Sequence, residues 1–174
     1  MTVTRLALTA TCIALAACAT APAPSATATA TLQPTAGSSV KGSVKFTQTS
    51  AGVLVTGQVR GLKPNTEVGF HVHEKGDCSA PDGMSAGGHF NPDGKMHGAA
   101  DSAMHHAGDI PSLRAGSDGV AAVNFTSTAF SVGAGAAPNV VGRGLIVHRD
   151  ADDYKTQPTG NAGPRLACAV IAAG

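Results

Sequence analysis

The sequence predicts an all-β domain, a small β-barrel or sandwich with long loops. Segments such as 39–48 and 53–60 alternate apolar and polar residues and are rich in Val and Thr, the pattern of half-buried strands. Turn-forming residues separate them, as in the Gly-Leu-Lys-Pro-Asn stretch at 61–65. No segment combines an apolar stripe at helical spacing with recognisable helix caps.

Six strands are expected, separated by turns or loops. In chain order they cover residues 39–48, 53–60, 66–73, 120–126, 144–148 and 167–171. Two Gly-rich stretches, 74–118 and 149–166, are too irregular to be strands throughout and are predicted to be loops. Long ordered loops on a rigid scaffold usually carry function, so the site is sought there.

The N-terminus resembles an export signal. A single cation, Arg5, precedes a mostly apolar run at 6–17, about twelve residues, which suits a signal peptide and is too short to span a bilayer as a helix. The run ends in Leu-Ala-Ala-Cys18, which resembles the bacterial lipobox, whose Cys becomes the lipidated first residue of the mature protein. The alternative is an ordinary signal peptide in which Cys18 is incidental. Both interpretations make residues 1–17 a signal peptide and take the protein out of the cytoplasm.

Two further regions follow the signal. Residues 18–37 are almost entirely Ala, Thr, Pro and Ser, so a disordered tether is expected there. Residues 38–174 suffice for one compact domain. A net charge of +1 and 13% charged residues predict no basic patch and exclude nucleic acid as a partner. Contact with a membrane is expected only through a lipid anchor at Cys18.

Cysteine usage agrees with export. Of the four cysteines, Cys12 belongs to the signal and Cys18 to the lipid, which leaves Cys78 and Cys168 as a pair in an oxidising compartment. A disulfide between them would close a loop of about ninety residues and contribute roughly 4–5 kcal/mol in the chain-entropy model. The alternative is two reduced, buried thiols.

All seven histidines lie between residues 71 and 148. Imidazole is a common ligand for copper and zinc, so the clustering indicates a metal site. His71 and His73 are two residues apart in a predicted strand and therefore project from the same face. His148 ends another predicted strand and supplies a third nitrogen if the two strands are neighbours.

A second group shares one predicted loop: His89, His97, His106 and Asp109. Three nitrogens and a carboxylate suit a closed tetrahedral zinc site, whereas each residue alone is more simply a solvated loop residue. His105 lies beside His106 and leaves an ambiguity, because a shift of one residue would exchange the two. Six histidines and an aspartate at these spacings favour two adjacent metal ions and a redox metalloenzyme.

These residues carry a resemblance to the copper/zinc superoxide dismutase family. The matching motifs are Gly-Phe-His-Val-His at 69–73, Gly-Gly-His-Phe-Asn-Pro at 87–92, His-Gly at 97–98, His-Ala-Gly-Asp at 106–109, Gly-Arg-Gly-Leu-Ile-Val-His at 142–148 and Gly-Asn-Ala-Gly-Pro-Arg-Leu-Ala-Cys at 160–168. They run in family order over roughly residues 40–172. The longer segment at 76–86 is similar to the bacterial exported branch.

The resemblance implies an eight-stranded antiparallel Greek-key barrel or sandwich with long metal-binding and electrostatic loops. It implies dismutation of superoxide to oxygen and hydrogen peroxide by a redox-cycling copper, with one copper and one zinc ion per chain. The implied copper ligands are His71, His73, His89 and His148; the implied zinc ligands are His89, His97, His106 and Asp109. His89 would bridge the metals as an imidazolate, because two adjacent cations stabilise the doubly deprotonated ring.

Two further roles follow from the resemblance. Asp152 matches the carboxylate that orients one histidine of each metal site, although it is otherwise one more acid in an acidic run. Arg165 matches the active-site cation that docks superoxide and so joins His89 as a catalytic residue. Residues 149–160 hold three acids and two bases, so strong net steering of superoxide is not expected from this segment.

Two other function classes remain open. A copper-binding lipoprotein would use the same histidines without turnover, but would not need Arg165. A domain stabilised by zinc alone would leave His71, His73 and His148 unexplained. The expected location is the bacterial periplasm, with a lipid anchor that favours the outer membrane because Ala19 is not acidic. The sequence leaves monomer and homodimer equally open.

Overall fold

The computed structural model describes residues 25–133 and 138–174 of the 174-residue chain. These residues form antiparallel β-strands and one short 3-10 turn, Met84–Ala86. The strands are β1 (Thr27–Pro34), β2 (Lys41–Thr49), β3 (Gly52–Arg60), β4 (Glu67–Val68), β5 (Phe70–His73), β6 (Leu113–Arg114), β7 (Val120–Ser127), β8 (Gly144–His148), β9 (Arg165–Val170) and β10 (Ala172–Ala173). The all-β prediction is confirmed. Within the described ranges, no helix has the length and apolarity needed to cross a membrane.

The main sheet contains eight strands and curls around one hydrophobic core. Its strand order is β5-β8-β9-β1-β2-β3-β7, with β10 paired to β1. β4 and β6 form a separate two-stranded sheet. This arrangement agrees with the antiparallel barrel or sandwich that the sequence predicts, and it places β5 next to β8 at one end of the strand order.

The core explains why the strands form where they do. In β2 the apolar residues Val44 and Phe46 are buried, while Lys45 between them is exposed. β3 buries Val53, Val55 and Val59 in the same core. A two-residue period with one buried face is the signature of such strands. The core is built mainly from Val, Ala and Leu, as the low aromatic content requires.

The expected disordered tether is wrong for the part that the structure describes. Residues 27–34 form β1, a central strand that pairs with β2 on one side and with β9 and β10 on the other. Thr and Ala alternate there, so Ala28, Ala30 and Leu32 are fully buried while the intervening threonines face outward. Small alanines fill a tight interior even though their composition resembles a linker. The folded domain therefore begins before residue 38.

The remaining strand predictions are correct to within a few residues, with one interruption. The predicted strand at 66–73 is divided at Gly69 into β4 and β5. At Gly69 the backbone N–H donates to Asp150 O and the carbonyl accepts from His148 N, both at 2.8 Å. β6 and β10 were not predicted, because two-residue strands show no periodicity.

A disulfide joins Cys78 and Cys168, with the Cα atoms 5.8 Å apart. It ties the loop after β5 to the middle of β9. Together with Ala86 and Ile146 the two cysteines form a small second apolar cluster. The predicted pairing is confirmed, and the alternative of two reduced thiols is wrong. Residues 1–24, with the predicted signal peptide, the lipobox and Cys18, lie outside the described residues.

Candidate metal centre

Three histidines lie on the outer side of the sheet where β5 pairs with β8. Phe70 and Val72 of β5 belong to the core, so the alternate residues His71 and His73 point to the opposite face. His148 ends the neighbouring strand β8. All three imidazoles are buried, since the long loops contact them from outside. The condition for a third nitrogen, that the two strands be neighbours, is met.

The described residues contain two groups of metal-ligating side chains, and in each group the ligand atoms lie within 4.8 Å of one another. All members are buried. The all-histidine set is His71, His73, His89 and His148, and the mixed set is His89, His97, His106 and Asp109. The structure thus brings together all seven predicted residues, and His89 belongs to both sets.

His105 belongs to neither set. Its Nδ1–H donates to the backbone carbonyl of His106 at 2.7 Å, and the ring is half-buried. The ambiguity that the sequence left between the two neighbouring histidines is therefore settled in favour of His106.

His73 and His148 present bare nitrogen lone pairs to each other. The Nδ1–H of His73 donates to Gly87 O at 2.9 Å and that of His148 donates to Gly163 O at 3.0 Å. Their Nε2 atoms then carry no proton, yet they lie only 3.4 Å apart. Two acceptors that face each other repel unless a cation lies between them, so this geometry fits a bound metal ion.

Burial keeps these rings neutral. Burial, helped by the charge of neighbouring histidines and of Arg165, lowers the pKa of His148 to about 3 and that of His73 well below its ordinary value. Burial also lowers the pKa of His71 to about 4. Only a neutral imidazole can donate a lone pair to a metal, so these three histidines can bind a cation at neutral pH.

Asp152 holds one histidine of each set. Its Oδ2 accepts from His71 Nε2 at 2.7 Å, and its Oδ1 accepts from His97 Nε2 at 2.9 Å. The Nδ1 atom of His71 is then left buried without a hydrogen-bond partner, whereas Nδ1 of His97 faces Asp109 Oδ1 at 3.0 Å. A carboxylate that orients two histidines and directs their opposite nitrogens at the ligand sets is the outer support that metal sites use.

His89 lies between the two sets. Its Nδ1 is 2.8 Å from Asp109 Oδ1 and 3.5 Å from His106 Nδ1, whereas its Nε2 is buried with no partner. Its ring centroid lies 4.1 Å from that of His71 and 5.1 Å from that of His73. One nitrogen therefore serves the mixed set, and the other is left for the all-histidine set.

Asp109 is the centre of the mixed set. Its Oδ1 lies 2.8 Å from His89 Nδ1, 3.0 Å from His97 Nδ1 and 3.4 Å from His106 Nδ1. Its Oδ2 accepts from the backbone N–H of Gly98 and of His106. Burial alone would raise the pKa of Asp109, but the hydrogen bonds from His89 and His97 outweigh burial and hold that pKa well below its usual range. The carboxylate is thus anionic and fixed in place.

His97 is electrostatically unlike the strand histidines. Burial lowers its pKa, but hydrogen bonds to Asp109 and Asp152 outweigh burial and raise the pKa to about 9. Without a metal the ring carries a proton at neutral pH, and a metal ion must displace that proton to bind.

Arg165 is held beside the all-histidine set. Its guanidinium donates through Nη1 to Gly83 O at 2.7 Å and through Nη2 to Gly87 O at 2.6 Å. Gly87 O also accepts from His73 Nδ1, so one carbonyl connects the cation to a histidine of the set. Burial lowers the pKa of Arg165 below its ordinary value, but the group remains a cation at neutral pH.

Two contributing residues were not predicted from the sequence. The side chain of Gln157 binds both backbone groups of His97: its Oε1 accepts from His97 N at 2.8 Å, and its Nε2 donates to His97 O at 3.0 Å. The Tyr154 N–H donates to Asp152 Oδ1 at 2.7 Å, and its hydroxyl donates to Ser112 Oγ at 2.8 Å. The only hint in the sequence was that both lie just after Asp152.

Comparison with known proteins agrees with this geometry. A family model described as copper/zinc superoxide dismutase matches residues 40–171. The Cu-Zn superoxide dismutase 2 of Aquifex aeolicus is 40% identical over 135 residues, which cover 76% of this chain and 79% of the relative. The Cu-Zn superoxide dismutase 2 of Brassica juncea is 45% identical over 139 residues, which cover 76% and 89%. The crystal structure of a SOD-like protein from Bacillus subtilis has a TM-score of 0.75 at 37% identity and covers 82% of this chain and 97% of its own.

Proposed function

Because the chain belongs to the copper/zinc superoxide dismutase family, we propose that it removes superoxide in the bacterial cell envelope with the site described above. It is a superoxide dismutase enzyme that uses copper and zinc. The reaction converts two superoxide anions and two protons into one oxygen molecule and one hydrogen peroxide molecule.

The all-histidine set holds the copper and the mixed set holds the zinc. Four imidazoles suit a metal that changes oxidation state, whereas three imidazoles and a carboxylate suit zinc, which has no redox chemistry. The observation that carries this assignment is His89, whose Nδ1 faces the mixed set while its Nε2 is buried without a partner. A bridge between two metals requires a ring that directs one nitrogen at each ligand set, as His89 does.

Bound copper would supply the one-electron acceptor and donor for the two half-reactions, and bound zinc would supply a fixed positive charge. The protein's own residues then orient the site and handle the protons. Asp152 keeps His71 in the tautomer that leaves its Nδ1 free, and it orients His97 so that its Nδ1 faces Asp109. His89 Nε2, which has no protein partner, would carry the proton needed by the second superoxide whenever it is not bound to the metal.

Arg165 docks the substrate. Two backbone carbonyls fix its guanidinium. Its positive charge helps to lower the pKa of both His73 and His148. A fixed cation next to the all-histidine set attracts a small anion and gives no advantage to neutral molecules of similar size.

The proposed location is the periplasm, with the protein attached through a lipid at Cys18, more favourably to the outer membrane. The lipobox-like sequence supports the anchor. The disulfide supports an oxidising compartment outside the cytoplasm. The protein acts there as a monomer or a homodimer and protects the envelope from externally produced superoxide.

The proposal is tested by pulse radiolysis of superoxide with the purified protein, with copper and zinc counted in the same sample. We expect one copper and one zinc per chain and superoxide decay near the diffusion limit. His148→Ala should abolish the decay, because it removes a ligand of the all-histidine set. The matched control is His105→Ala, which removes a histidine outside both sets and should leave the decay unchanged.

Two results would contradict the proposal. Full loading with both metals but no catalysed decay would make the chain a copper-binding protein on a dismutase scaffold. Unchanged decay in His148→Ala would show that this set does not hold the reactive metal. For the anchor, replacement of Cys18 by Ala should release the protein from the membrane fraction of the cell, and retention there would overturn that part.

A further inference from the structure

One outer face of the sheet carries only positive charge. The face is formed by β1, β2 and β3, and its charged side chains are Lys41, Lys45 and Arg60, all exposed. The remaining exposed side chains of this face are hydroxyls and amides. None of the three cations forms an ion pair with a carboxylate in the part of the chain that the structure describes. These strands are termed the cationic face below.

The charge asymmetry is also present in the sequence. All eleven acidic residues lie between residues 67 and 153, and none precedes them. The net charge of +1 averages over this difference, so the expectation of no basic patch is wrong for this face. None of these acids lies on β1, β2 or β3; Asp118, in the turn before β7, precedes Val120, the strand partner of Arg60.

Two of the cations are placed against each other. Lys41 and Arg60 are directly opposite in the register of β2 and β3, an arrangement that is destabilising for like charges. They line a shallow cavity of about 230 Å³ together with Ser43, Gln58 and Gln33. Two cations next to several hydrogen-bond donors are complementary to a phosphate group, which would relieve the repulsion.

The chain outside the described residues brings this face near a membrane. β1 is the first strand and follows the N-terminal 24 residues. Thr27 is nine positions after Cys18, so an extended connection spans at most about 30 Å. If Cys18 carries a lipid, the Thr27 end of the cationic face lies within that distance of the headgroups.

We propose that the cationic face docks on the anionic phospholipid surface of the membrane that holds the N-terminus, through Lys41, Lys45 and Arg60. The proposal deepens the proposed envelope location and rests on it for its biological setting. Each cation near an anionic leaflet contributes attraction that falls with salt, and three cations on one flat face act together.

Docking in this orientation leaves the metal centre accessible. β5 and β2 are four positions apart in the strand order, so in a curled sheet they lie on opposite walls. The histidines lie outside the β5 and β8 wall, under the loops. A surface potential near −30 mV would deplete a monovalent anion such as superoxide about threefold, so a metal centre turned away from the membrane meets more substrate.

The test measures binding to phosphatidylglycerol-rich vesicles and to phosphatidylcholine vesicles by sedimentation. The protein is the chain from residue 19 onward, so that neither the apolar run at 6–17 nor an acyl chain contributes. We expect about tenfold stronger binding to the anionic vesicles, lost when Lys41, Lys45 and Arg60 are all changed to Gln. The matched control changes the exposed Lys75, Lys95 and Lys155 to Gln, which removes the same charge elsewhere and should retain the preference.

A charge-conserving variant, in which both lysines become Arg and Arg60 becomes Lys, should bind like the parent and excludes an effect of misfolding. Equal loss of binding in the two Gln variants would overturn the face as the docking surface, as would equal binding of the parent to the anionic and the phosphatidylcholine vesicles. Vesicle-bound protein should keep its dismutase activity, and a large fall would overturn the orientation. Since Cys18 is absent throughout, failure here leaves the lipid anchor and the dismutase activity unaffected, and each of those has its own test.

Discussion

At the scale of single residues, the metal centre is controlled by which nitrogen of each histidine carries the proton. Backbone carbonyls accept hydrogen bonds from His73 and His148, and the Asp152 carboxylate accepts hydrogen bonds from His71 and His97. The remaining nitrogens converge without protein donors to satisfy them. Because burial keeps most of these rings neutral, the metal-free protein holds several unsatisfied lone pairs and gains stability when a metal binds.

We expect Asp152→Asn to weaken metal binding about 10–100-fold, because an amide cannot accept from both His71 and His97 with full negative charge. Chelator competition, followed separately for copper and zinc, measures the effect on each set. Asp153→Asn is the control, since this neighbouring acid contacts only its own turn at Thr156. Equal metal affinity in the two variants would contradict the role given to Asp152.

The stability of the metal-free protein should fall as the pH decreases below about 6.5. The folded-state pKa values of His71 and His148, about 4 and about 3, lie below the unfolded value, so these rings stabilise the fold above pH 6.5 and lose that contribution as the pH falls toward the folded pKa. The expected slope is about 1.4 kcal/mol per pH unit for each ring. His97, with a raised folded pKa, is protonated in both states there and adds no slope.

Denaturant unfolding of the metal-free protein across this pH range checks the slope. His73, whose pKa is also lowered by burial, adds to the slope, so His148→Gln removes one of three such rings and should make the slope smaller by about a third. A stability that does not change between pH 6.5 and 4.5 would contradict the claim that burial keeps these rings neutral.

At the scale of elements, β1 connects the two halves of the main sheet, although its Thr and Ala composition resembles that of a linker. It joins β2 to β9, so the strands that carry metal ligands and Arg165 reach the rest of the sheet only through it. Its buried residues are two alanines and one leucine. Backbone hydrogen bonds to β2 on one side and to β9 and β10 on the other add to the contribution of this small apolar area.

Leu32→Ala should reduce the free energy of unfolding by about 2–5 kcal/mol, because Leu32 is buried in the core and its removal leaves a cavity. Thr31→Ala, at the adjacent exposed position of the same strand, should change it by less than about 0.5 kcal/mol. Chemical denaturation of both variants measures the two changes in the free energy of unfolding. If the two changes cost the same, residues 27–34 are not the central strand.

At the scale of the whole molecule, the disulfide links the metal loop to the sheet. The loop that follows β5 is held at Cys78, and β9 carries both Cys168 and Arg165. Arg165 in turn donates to Gly83 and Gly87 in that same loop. The covalent bond and these hydrogen bonds therefore secure the same junction, next to the residues that would bind copper.

Cys168→Ser should lower the thermal stability and the metal retention together. In the chain-entropy model the loop of 90 residues accounts for about 4–5 kcal/mol of the free energy of unfolding. Calorimetry and metal counting after dialysis measure the two effects on the same sample. Reduced wild-type protein is the comparison for the loss of the bond without a substitution. An unchanged melting temperature and metal content would contradict the link.

The sequence by itself determined the fold class and the chemistry of the site. Period-two alternation in β2, β3 and β7 is a local property, and so is the His-x-His pair of β5. The family motifs added the order of the ligands, and the two cysteines left after the export signal gave the pairing of Cys78 with Cys168. These features were readable because each depends on residues close together in the chain, or on motifs matched one by one.

Tertiary structure alone decided the rest. β1 is a strand because two neighbouring ladders and a tight core accept alternating alanines, which no local composition reveals. The side chain of Gln157 contacts the backbone of His97, and the backbone N–H of Tyr154 contacts Asp152; neither contact belongs to a sequence motif. The choice of His106 over His105 and the gathering of three cations on one face depend on which residues the sheet and loops bring together. Such contacts join positions far apart in sequence, and only the folded chain fixes them.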